Sequence, residues 1–362
     1  MMQRRPRGRG VVALAVSLVI AVIPSMSQPA PPAGYQQTNL VSDVPGLAMF
    51  TDPNLVNAWG MSFGQSTFIW VSDNGTGVAT LYDGNGTKQS LVVTIPAPPG
   101  STGPSAPTGQ LFNDGASFQL EPNKPALFIF VTEDGTISGW NPGVNGTNAV
   151  LEVDRSTIGA VYKGVAFNNS KDRLYAANFR FGTIEVFDAS WTLIDSFTDP
   201  SVPPGYAPFN IQNVDGTIYV TFAKQNAERK DDVAGPGQGF VDVLDPATNT
   251  FTRLISGHPG HAPLNSPWGL ALAPSSGFGE FSGALLVGNF GDGAINAFDP
   301  NTGTFLGQLR RANGGFVKID GLWALVFGKG GTRNGPATTL FFTAGPNDES
   351  HGLFGRLEAA AP

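Results

Sequence analysis

The sequence predicts an all-β protein built as a six-bladed β-propeller, and three observations carry this prediction. The 362 residues include 47 Gly and 29 Pro, so turn-forming residues occur well above their average usage. Short runs rich in Val, Ile, Phe, Tyr and Leu lie between those turns, as expected for strands. A pattern of such runs recurs six times, with a period that suits one four-stranded antiparallel blade.

The clearest copy of the repeat is Ser266–Leu272 followed by Leu285–Pro300. It has an apolar strand that reads Pro-Trp-Gly-Leu-Ala, a second strand that ends in Asn-Phe-Gly-Asp-Gly, and a third that closes with Phe-Asp-Pro. The positions taken as equivalent in the six copies are Gly60, Ser117, Gly164, Asn210, Gly269 and Leu322. They lie 46 to 59 residues apart, which is the length of a four-stranded meander with its turns.

Each copy supplies three strands in order. The predicted first strands are Asn57–Phe63, Gly115–Leu120, Tyr162–Phe167, Ala207–Gln212, Ser266–Leu272 and Asp320–Leu325. The predicted second strands outside the fifth copy are Phe68–Gly75, Leu127–Gly135, Leu174–Asn178, Ile218–Phe222 and Leu340–Ala344. The predicted third strands outside that copy are Val78–Asp83, Ile137–Asn141, Thr183–Asp188, Phe240–Asp245 and Gly352–Leu357.

The last copy lacks a fourth strand, because only five residues follow Leu357. A spare strand, Tyr35–Val41, precedes the first copy. If it pairs with the last copy, the ring closes and no sheet edge is left exposed. We therefore expect one propeller domain over residues 35–358, closed by the N-terminal strand.

The N-terminus has the features of a secretory signal. Four Arg between positions 4 and 9 are followed by the apolar run Val11–Pro24 and then by Ser25, Met26 and Ser27. The run is short for a membrane span, so a signal peptide over 1–27 is predicted, with a retained anchor as the alternative. Residues 28–34 form a Pro-rich leader. The predicted location is secreted or periplasmic, with no membrane span after cleavage.

Charge and cysteine content exclude several classes of protein. The formal net charge is −7, and the 21 basic residues fall to 17 against 28 acidic ones once the four N-terminal Arg are set aside. An acidic body without a basic patch argues against a nucleic-acid partner. The absence of Cys excludes disulfides and thiolate metal sites. We expect a monomer stabilised by packing alone.

The triplet of strands resembles the NHL and SMP-30/gluconolactonase-like six-bladed propellers. Four segments, Thr132–Pro142, Asp231–Gly235, Leu286–Gly293 and Phe342–Gly355, are similar to a family of exported bacterial propeller proteins known only as uncharacterised. The resemblance runs from about Tyr35 to Leu357. It implies the fold and export, and it implies no activity.

Function in such a ring is expected at the central mouth, where the first strands begin and the turns after the second strands return. The resemblance to SMP-30-like lactonases implies a hard divalent cation there, Ca²⁺ or another, on Glu, Asn and Asp side chains. Asp320, Asn210 and Glu133 are the matching positions. Lys163 in the same ring would oppose a metal, and Asp320 and Asn210 alternatively satisfy turn amides.

A second hypothesis is a binding module for a small molecule or a glycan. Trp59 and Trp268 occupy equivalent places and, with Lys163 and Asn210, would offer stacking faces and hydrogen bonds. The alternative is that both tryptophans are packed between blades, where aromatic side chains bury a large apolar area. Exposure of the two indoles at the mouth separates these two interpretations.

One charged loop and one histidine are further candidates for chemistry. The loop Lys224–Gln238 is the one concentrated charge cluster of the body, and Asp231 and Asp232 are expected to reach the mouth from it, unless it is simply a solvated loop. His351 is a weak candidate for a general base, beside the equally weak catalytic candidates Asp320 and Glu133. The sequence thus predicts an exported propeller that binds a small ligand or divalent cation, with a metal-dependent lactonase-like hydrolase or a glycan- or protein-binding module of the cell envelope as alternatives.

Overall fold

Six four-stranded antiparallel blades make up the protein in a computed structural model. The structure describes residues 1–2, 34–258, 260–261 and 263–360. The predicted signal peptide and leader therefore lie outside the described residues, apart from Met1, Met2 and Gly34. The predicted all-β class and the six-bladed propeller are confirmed.

The first three blades follow one another along the chain. Blade 1 consists of Ala58–Ser62, Ile69–Asp73, Val78–Tyr82 and Lys88–Thr94. Blade 2 consists of Pro107–Phe112, Phe128–Thr132, Thr136–Trp140 and Val150–Asp154. Blade 3 consists of Tyr162–Phe167, Arg173–Asn178, Thr183–Asp188 and Leu193–Phe197.

The remaining blades complete the ring. Blade 4 consists of Tyr206–Val214, Thr217–Lys224, Phe240–Asp245 and Thr250–Ser256. Blade 5 consists of Pro267–Leu272, Leu285–Asn289, Ile295–Phe298 and Phe305–Gln308. Blade 6 consists of Leu322–Phe327, Leu340–Ala344, Leu353–Ala359 and the N-terminal strand Tyr35–Ser42. Short additional strands lie at Phe50–Thr51, Gln119–Glu121 and Lys124–Pro125, and 3₁₀ turns at Ser156–Ile158 and Gly279–Phe281.

The first strand of each blade is the innermost, and it contacts the first strands of both neighbouring blades around the channel. Small residues allow this close approach. A Cβ on Gly60 would lie 2.2 Å from the Thr108 carbonyl oxygen, and one on Gly109 would lie 2.9 Å from the Cα of Gly164. Glycine is therefore required where neighbouring inner strands touch backbone to backbone.

The N-terminal strand closes the ring as the sequence predicted. Tyr35–Ser42 pairs antiparallel with Leu353–Ala359, from Tyr35 opposite Ala359 to Ser42 opposite Leu353. Tyr35 is buried against Phe278 and Phe281, and its hydroxyl donates a hydrogen bond of 2.9 Å to the Phe278 carbonyl. The closure thus combines a strand ladder with a buried anchor in blade 5.

Tyr35→Phe is expected to lower the free energy of unfolding by about 1 kcal/mol, since it leaves the Phe278 carbonyl without its donor and keeps the ring packing. Urea unfolding followed by circular dichroism measures this difference. Gln36→Ala, on the same strand but exposed, is the control. Equal stability of Tyr35→Phe and the wild-type protein would show that the hydroxyl does not hold the strand.

Two of the predicted strand positions are wrong. The innermost strand of blade 2 is Pro107–Phe112, whereas Gly115–Leu120 enters a small two-stranded hairpin, Gln119–Glu121 with Lys124–Pro125. In blade 6 the innermost strand begins at Leu322, two residues after the predicted Asp320. Both differences change which residues begin the innermost strands of blades 2 and 6.

Within the described part of the chain, no helix is long and apolar enough to cross a bilayer.

Candidate functional site

A register shift interrupts the pairing of the innermost strand near its start in each blade. In blade 3, for example, Tyr162 pairs with Asn178 and Gly164 pairs with Ala177, which leaves Lys163 unpaired. Such bulges redirect a side chain and are common beside functional sites. The six residues at these shifts are Trp59, Thr108, Lys163, Phe209, Trp268 and Trp323.

Three of those residues are indoles that form an aromatic floor across the channel. Trp59 stacks on Trp323 with ring centroids 3.6 Å apart, and Trp268 meets both edge-on at 6.4 and 5.9 Å. Phe209 and Phe290 pack against Trp323 at 5.8 and 4.0 Å. All three tryptophans are buried. We call Trp59, Trp268 and Trp323 the indole floor.

Lys163 is the one charged residue at these six positions, and it lies against the indole floor. Its side chain is only 2% exposed, and its Nζ is 4.9 Å from the centroid of Trp59. The ammonium group donates to a carboxylate oxygen of Glu133 and lies 3.4 Å from Oδ1 of Asp231. Trp268 Nε1 donates to the Lys163 carbonyl at 3.2 Å, which fixes the backbone at the bulge.

The buried pair is ionised on both sides. Desolvation opposes the charge on Glu133, but the Lys163 ammonium outweighs it and lowers the pKa of that carboxyl. Desolvation likewise opposes the charge on Lys163, and the carboxylates of Glu133 and Asp231 outweigh it and raise the pKa of the ammonium. A buried charge pair costs several kcal/mol of desolvation and is a weak source of stability. Its place at a channel mouth therefore points to function.

Two asparagines connect Glu133 to a second carboxylate. Asn74 donates to Oε2 of Glu133 at 3.2 Å, and its own Oδ1 accepts from Asn57 Nδ2 at 3.2 Å. Asn57 Nδ2 also donates to Oε2 of Glu349 at 2.6 Å, while its Oδ1 accepts from Trp323 Nε1 at 3.0 Å. The polar groups that converge on the mouth, here called the mouth cluster, are Asn57, Asn74, Glu133, Lys163, Asp231 and Glu349.

Glu349 is held over the mouth by a strained turn. Asn347, Asp348 and Glu349 have φ angles of 58°, 50° and 63°, in the left-handed region that non-glycine residues rarely adopt. The Glu349 amide donates to the Gly345 carbonyl at 3.1 Å. Strain of this kind concentrates at functional sites.

The carboxyl group of Glu349 titrates near neutrality. Burial and the neighbouring Glu133 carboxylate raise its pKa to about 7, against the opposing effects of Lys163 and the Asn57 hydrogen bond. The carboxyl groups of Glu133, Asp231 and Glu349 therefore lie near the ammonium group of Lys163. Lys163 pairs with Glu133 and Asp231, whereas Glu349 has no ion-pair partner among the described residues.

The loop Lys224–Gln238 lies over the mouth, as predicted. Asp231 reaches Lys163 from it and is itself exposed. The loop is anchored by Gln225, which donates to the Phe179 carbonyl at 2.6 Å, and by Gly235, which donates to Asn265 Oδ1 at 2.6 Å. Asp232 turns inward, and burial raises the pKa of its carboxyl. Of these two acids, Asp231 is the one that belongs to the mouth cluster.

The three residues predicted as a metal set have different surroundings. Asp320 is exposed and accepts the Asn347 amide at 2.9 Å. Asn210 is buried, donates to the Trp268 carbonyl at 2.8 Å and accepts the Ile211 amide at 2.8 Å. These are the turn and backbone roles considered as the alternative. Glu133 alone belongs to the mouth cluster, and the described residues contain no grouping of three His, Cys, Asp or Glu suited to a metal ion.

The remaining predicted residues, which are His351, Trp59 and Trp268, do not belong to the mouth cluster. His351 turns away, with Nδ1 2.8 Å from Asp43 Oδ2. Trp59 and Trp268 are 1% and 4% exposed. An indole covered by other indoles cannot stack on a sugar, so both residues form the floor and the predicted stacking role is corrected.

Sequence reasoning missed Asn57 and Trp323, and it included Glu349 only within the segment Phe342–Gly355. Trp323 was missed because the repeat in blade 6 was aligned on Leu322, which places Trp323 out of register with Trp59 and Trp268. Matching Trp323-Ala324 to Trp59-Gly60 and Trp268-Gly269 would have found it, because an aromatic residue followed by a small one marks the bulge in all three blades.

Fold and site together define the chain as a six-bladed β-propeller with a charged cluster at one end of its channel. Solved structures share this fold at low sequence identity. A streptogramin B lyase matches with a TM-score of 0.52 and 10% identity, covering 90% of this chain and 97% of that one. A luciferin-regenerating enzyme matches with a TM-score of 0.51 and 13% identity, covering 84% of this chain and 92% of that one. A structural genomics protein of unknown function from Bacteroides thetaiotaomicron matches with a TM-score of 0.54 and 11% identity. The match covers 90% of this chain and 73% of that one.

The chain belongs to a family that includes uncharacterized proteins of Acanthamoeba polyphaga mimivirus. One is 31% identical over 337 residues, covering 90% of this chain and 86% of the viral protein. A second is 32% identical over 332 residues, covering 88% of this chain and 78% of the viral protein. No family model matches the chain. The relatives named here are viral, whereas the resemblance noted in the sequence had implied bacterial ones.

Proposed function

We propose that the protein binds a small cationic molecule at the mouth of its central channel. The observation that carries this proposal is the charge of the mouth cluster: Lys163 pairs with Glu133 and Asp231, Lys230 adds a positive charge near Glu133, and Glu349 has no ion-pair partner among the described residues. A ligand ammonium or other cation beside Glu349 would supply the missing charge and displace the proton held there. The cluster draws on five of the six blades, so the ring as a whole positions it.

A divalent cation is the less suitable occupant of this site. Ca²⁺ requires six to eight oxygen ligands. Both oxygens of Glu133 already accept hydrogen bonds, from Lys163 and Asn74, and the Lys163 ammonium stands where a metal would have to bind. The residues around Lys163 do not fit a metal centre, so we derive no catalytic step through a metal. Metal analysis of the purified protein and titration with Ca²⁺ test this directly.

Binding is expected to depend on pH through Glu349. Affinity for ethanolamine, a small ammonium probe, is expected to rise as the pH increases from 6 to 8, because the carboxyl with a pKa of about 7 becomes ionised over this range. Titration calorimetry measures the affinity, and ¹³C-carboxyl NMR measures the pKa, which the bound amine lowers. Glu349→Gln is expected to remove both the pH dependence and most of the binding.

Asp348→Asn is the matched control, since it removes one carboxylate from the same turn at an exposed position. It is expected to leave the affinity and its pH dependence close to those of the wild-type protein. If Asp348→Asn and Glu349→Gln weaken binding equally, the acidic surface as a whole attracts the amine and the mouth cluster is not a specific site.

The same carboxyl makes the stability of the fold pH-dependent. The pKa of Glu349 in the folded state lies above its ordinary 4.5, so the bound proton favours folding. This contribution is complete below about pH 4.5 and is lost as the pH rises through about 7. Glu152 and Asp242, with pKa values raised to about 7 and about 8 by burial, act in the same direction. The difference between wild type and Glu349→Gln in urea titrations at several pH values isolates the part due to Glu349.

A second candidate function, hydrolysis of a lactone, is favoured by the near-neutral pKa of Glu349, because a general base is most effective near the working pH. The ionised carboxylate would take a proton from water as the water oxygen attacks the carbonyl carbon. The ring C–O bond then breaks and the released alkoxide takes up a proton. Two structural neighbours with this fold, a streptogramin B lyase and a luciferin-regenerating enzyme, are enzymes, although neither name denotes a hydrolase. A γ-lactone assay that shows no turnover above the Glu349→Gln background would eliminate this candidate.

Export, a monomeric state, membership of the NHL and SMP-30-like group and the role of a glycan- or protein-binding module remain proposals. Export rests on the N-terminal pattern of Arg4 to Ser27. N-terminal sequencing of protein recovered outside the expressing cell would test cleavage near residue 27. Size-exclusion chromatography with light scattering tests the monomer.

A further inference from the structure

The channel has a second, chemically different end. A cavity of about 710 Å³ opens where the innermost strands finish, on the side of the indole floor away from the mouth cluster. Trp268 lines this cavity, and its Nε1 donates to the Lys163 carbonyl above it. The apolar residues of the wall that are partly exposed include Leu111, Phe112, Val214, Leu272, Val326 and Phe327.

The entrance to this cavity is polar and contains one cation without an ion-pair partner among the described residues. Amide side chains of Asn168, Asn169 and Asn213 stand at the rim. Lys171 is paired with Asp114. Lys329 has its Nζ 5.8 Å from the centroid of Phe63, beside the apolar wall. Lys329 is exposed, and desolvation lowers the pKa of its ammonium group although the carboxylates of Asp114 and Asp215 oppose this shift.

We infer that this cavity is a second ligand site, for a small molecule with an aromatic or aliphatic body and an anionic end. The volume falls within the usual range of small-molecule sites, roughly 300–1,000 Å³. The apolar wall would bury the body of the ligand, and Lys329 would pair with its anion at the entrance.

The probe that tests this site is 8-anilinonaphthalene-1-sulfonate, an aromatic anion that fluoresces in apolar surroundings. It is expected to bind one equivalent. Methyl-¹³C methionine NMR locates it, because the chain has five methionines and, of those that the structure describes, Met61 is the one that lines the cavity. The Met61 signal is expected to shift and the signal of Met49, an exposed residue, to stay in place. Met61→Leu and Met49→Leu assign the two signals.

The role of Lys329 is tested with a pair of probes. Lys329→Met is expected to weaken binding of the sulfonate about fivefold, as for a partly desolvated ion pair. Neutral N-phenyl-1-naphthylamine, which has the same ring body, is expected to bind both forms equally. Asp215→Asn, which removes an anion from the same rim, is expected to strengthen sulfonate binding.

Three results would overturn the inference. The first is sulfonate binding that leaves the Met61 signal unchanged. The second is binding at several equivalents that also shifts Met49. The third is equal weakening of both probes by Lys329→Met. The titration of Glu349 is not expected to respond to the sulfonate, so this test stands or fails independently of cation binding at the mouth cluster.

Discussion

Lys163→Met is expected to lower the free energy of unfolding by about 3–5 kcal/mol near pH 8, because removal of one partner of a buried ion pair leaves the other charge uncompensated. The charge left behind is Glu133, whose side chain is 9% exposed. Urea unfolding followed by circular dichroism measures the loss. Lys171→Met is the matched control, since it breaks an ion pair that is largely exposed and is expected to cost about 0–1 kcal/mol.

The pH dependence identifies the cause of this loss. Without Lys163, burial raises the pKa of Glu133 above its ordinary value, so the variant regains stability as the pH falls and the carboxyl is protonated. The difference between the wild-type and variant stabilities is therefore expected to shrink as the pH falls, and to be smallest only below the lowered pKa that Glu133 has in the wild-type protein. Adding Glu133→Gln to Lys163→Met is expected to restore most of the loss at pH 8. A pH-independent loss that Glu133→Gln does not repair would show that the lysine stem, and not its charge, is what the fold needs.

Ligand binding in the same variant is expected to change in the opposite direction. Loss of the ammonium leaves three carboxylates around the mouth, so ethanolamine is expected to bind more tightly to Lys163→Met than to the wild-type protein. Weaker binding would mean that Lys163 itself contacts the ligand, and it would contradict the proposal of a cationic ligand.

Trp323→Ala is expected to cost about 3–5 kcal/mol of stability, which is the usual range for truncating a buried tryptophan. Trp323 stacks between Trp59 and Phe290, at 3.6 and 4.0 Å, so its loss opens the centre of the indole floor. Thermal and urea unfolding measure the effect. Ile158→Ala, in an exposed 3₁₀ turn, is a control that is expected to be close to neutral.

Trp323→Phe separates packing from hydrogen bonding. It keeps an aromatic ring in the floor but removes the N–H group that donates to Asn57. Asn57 lowers the pKa of Glu349 through its own hydrogen bond, so a less firmly held Asn57 is expected to let that pKa rise above 7. If the carboxyl titrates as in the wild-type protein, the indole does not position the mouth cluster.

Much of the fold was predictable because a propeller repeats its signals. Glycine turns, alternating apolar strands and the unpaired Tyr35–Val41 segment all point to the same closed ring. The failure in blade 2 has a local cause. Gly115–Leu120 has the composition of a strand, yet Phe118 takes a φ of 61° and turns the chain into a hairpin outside the blade. Propensity alone does not distinguish the two outcomes.

The candidate site was predictable only in part, for a geometric reason. Lys163, Glu133 and Asp231 could be placed at the mouth because the repeat shows where each strand begins. The link between Glu133 and Glu349 depends on Asn57 and Asn74, and on a left-handed turn at 347–349 that the sequence Asn-Asp-Glu does not announce. The burial of Trp59 and Trp268 depends on how far the inner strands approach each other, which the small residues after the bulges determine.

The closure of blade 6 also constrains the order in which the protein can fold. Tyr35 pairs with Ala359, so the ladder that completes the ring joins the two ends of the domain. Contacts between residues so distant in sequence form slowly, since a very long loop must close first. The N-terminal strand therefore waits until the last blade has left the ribosome, with unpaired edges exposed in the meantime. For such a chain, protection from aggregation during synthesis matters as much as the stability of the finished ring.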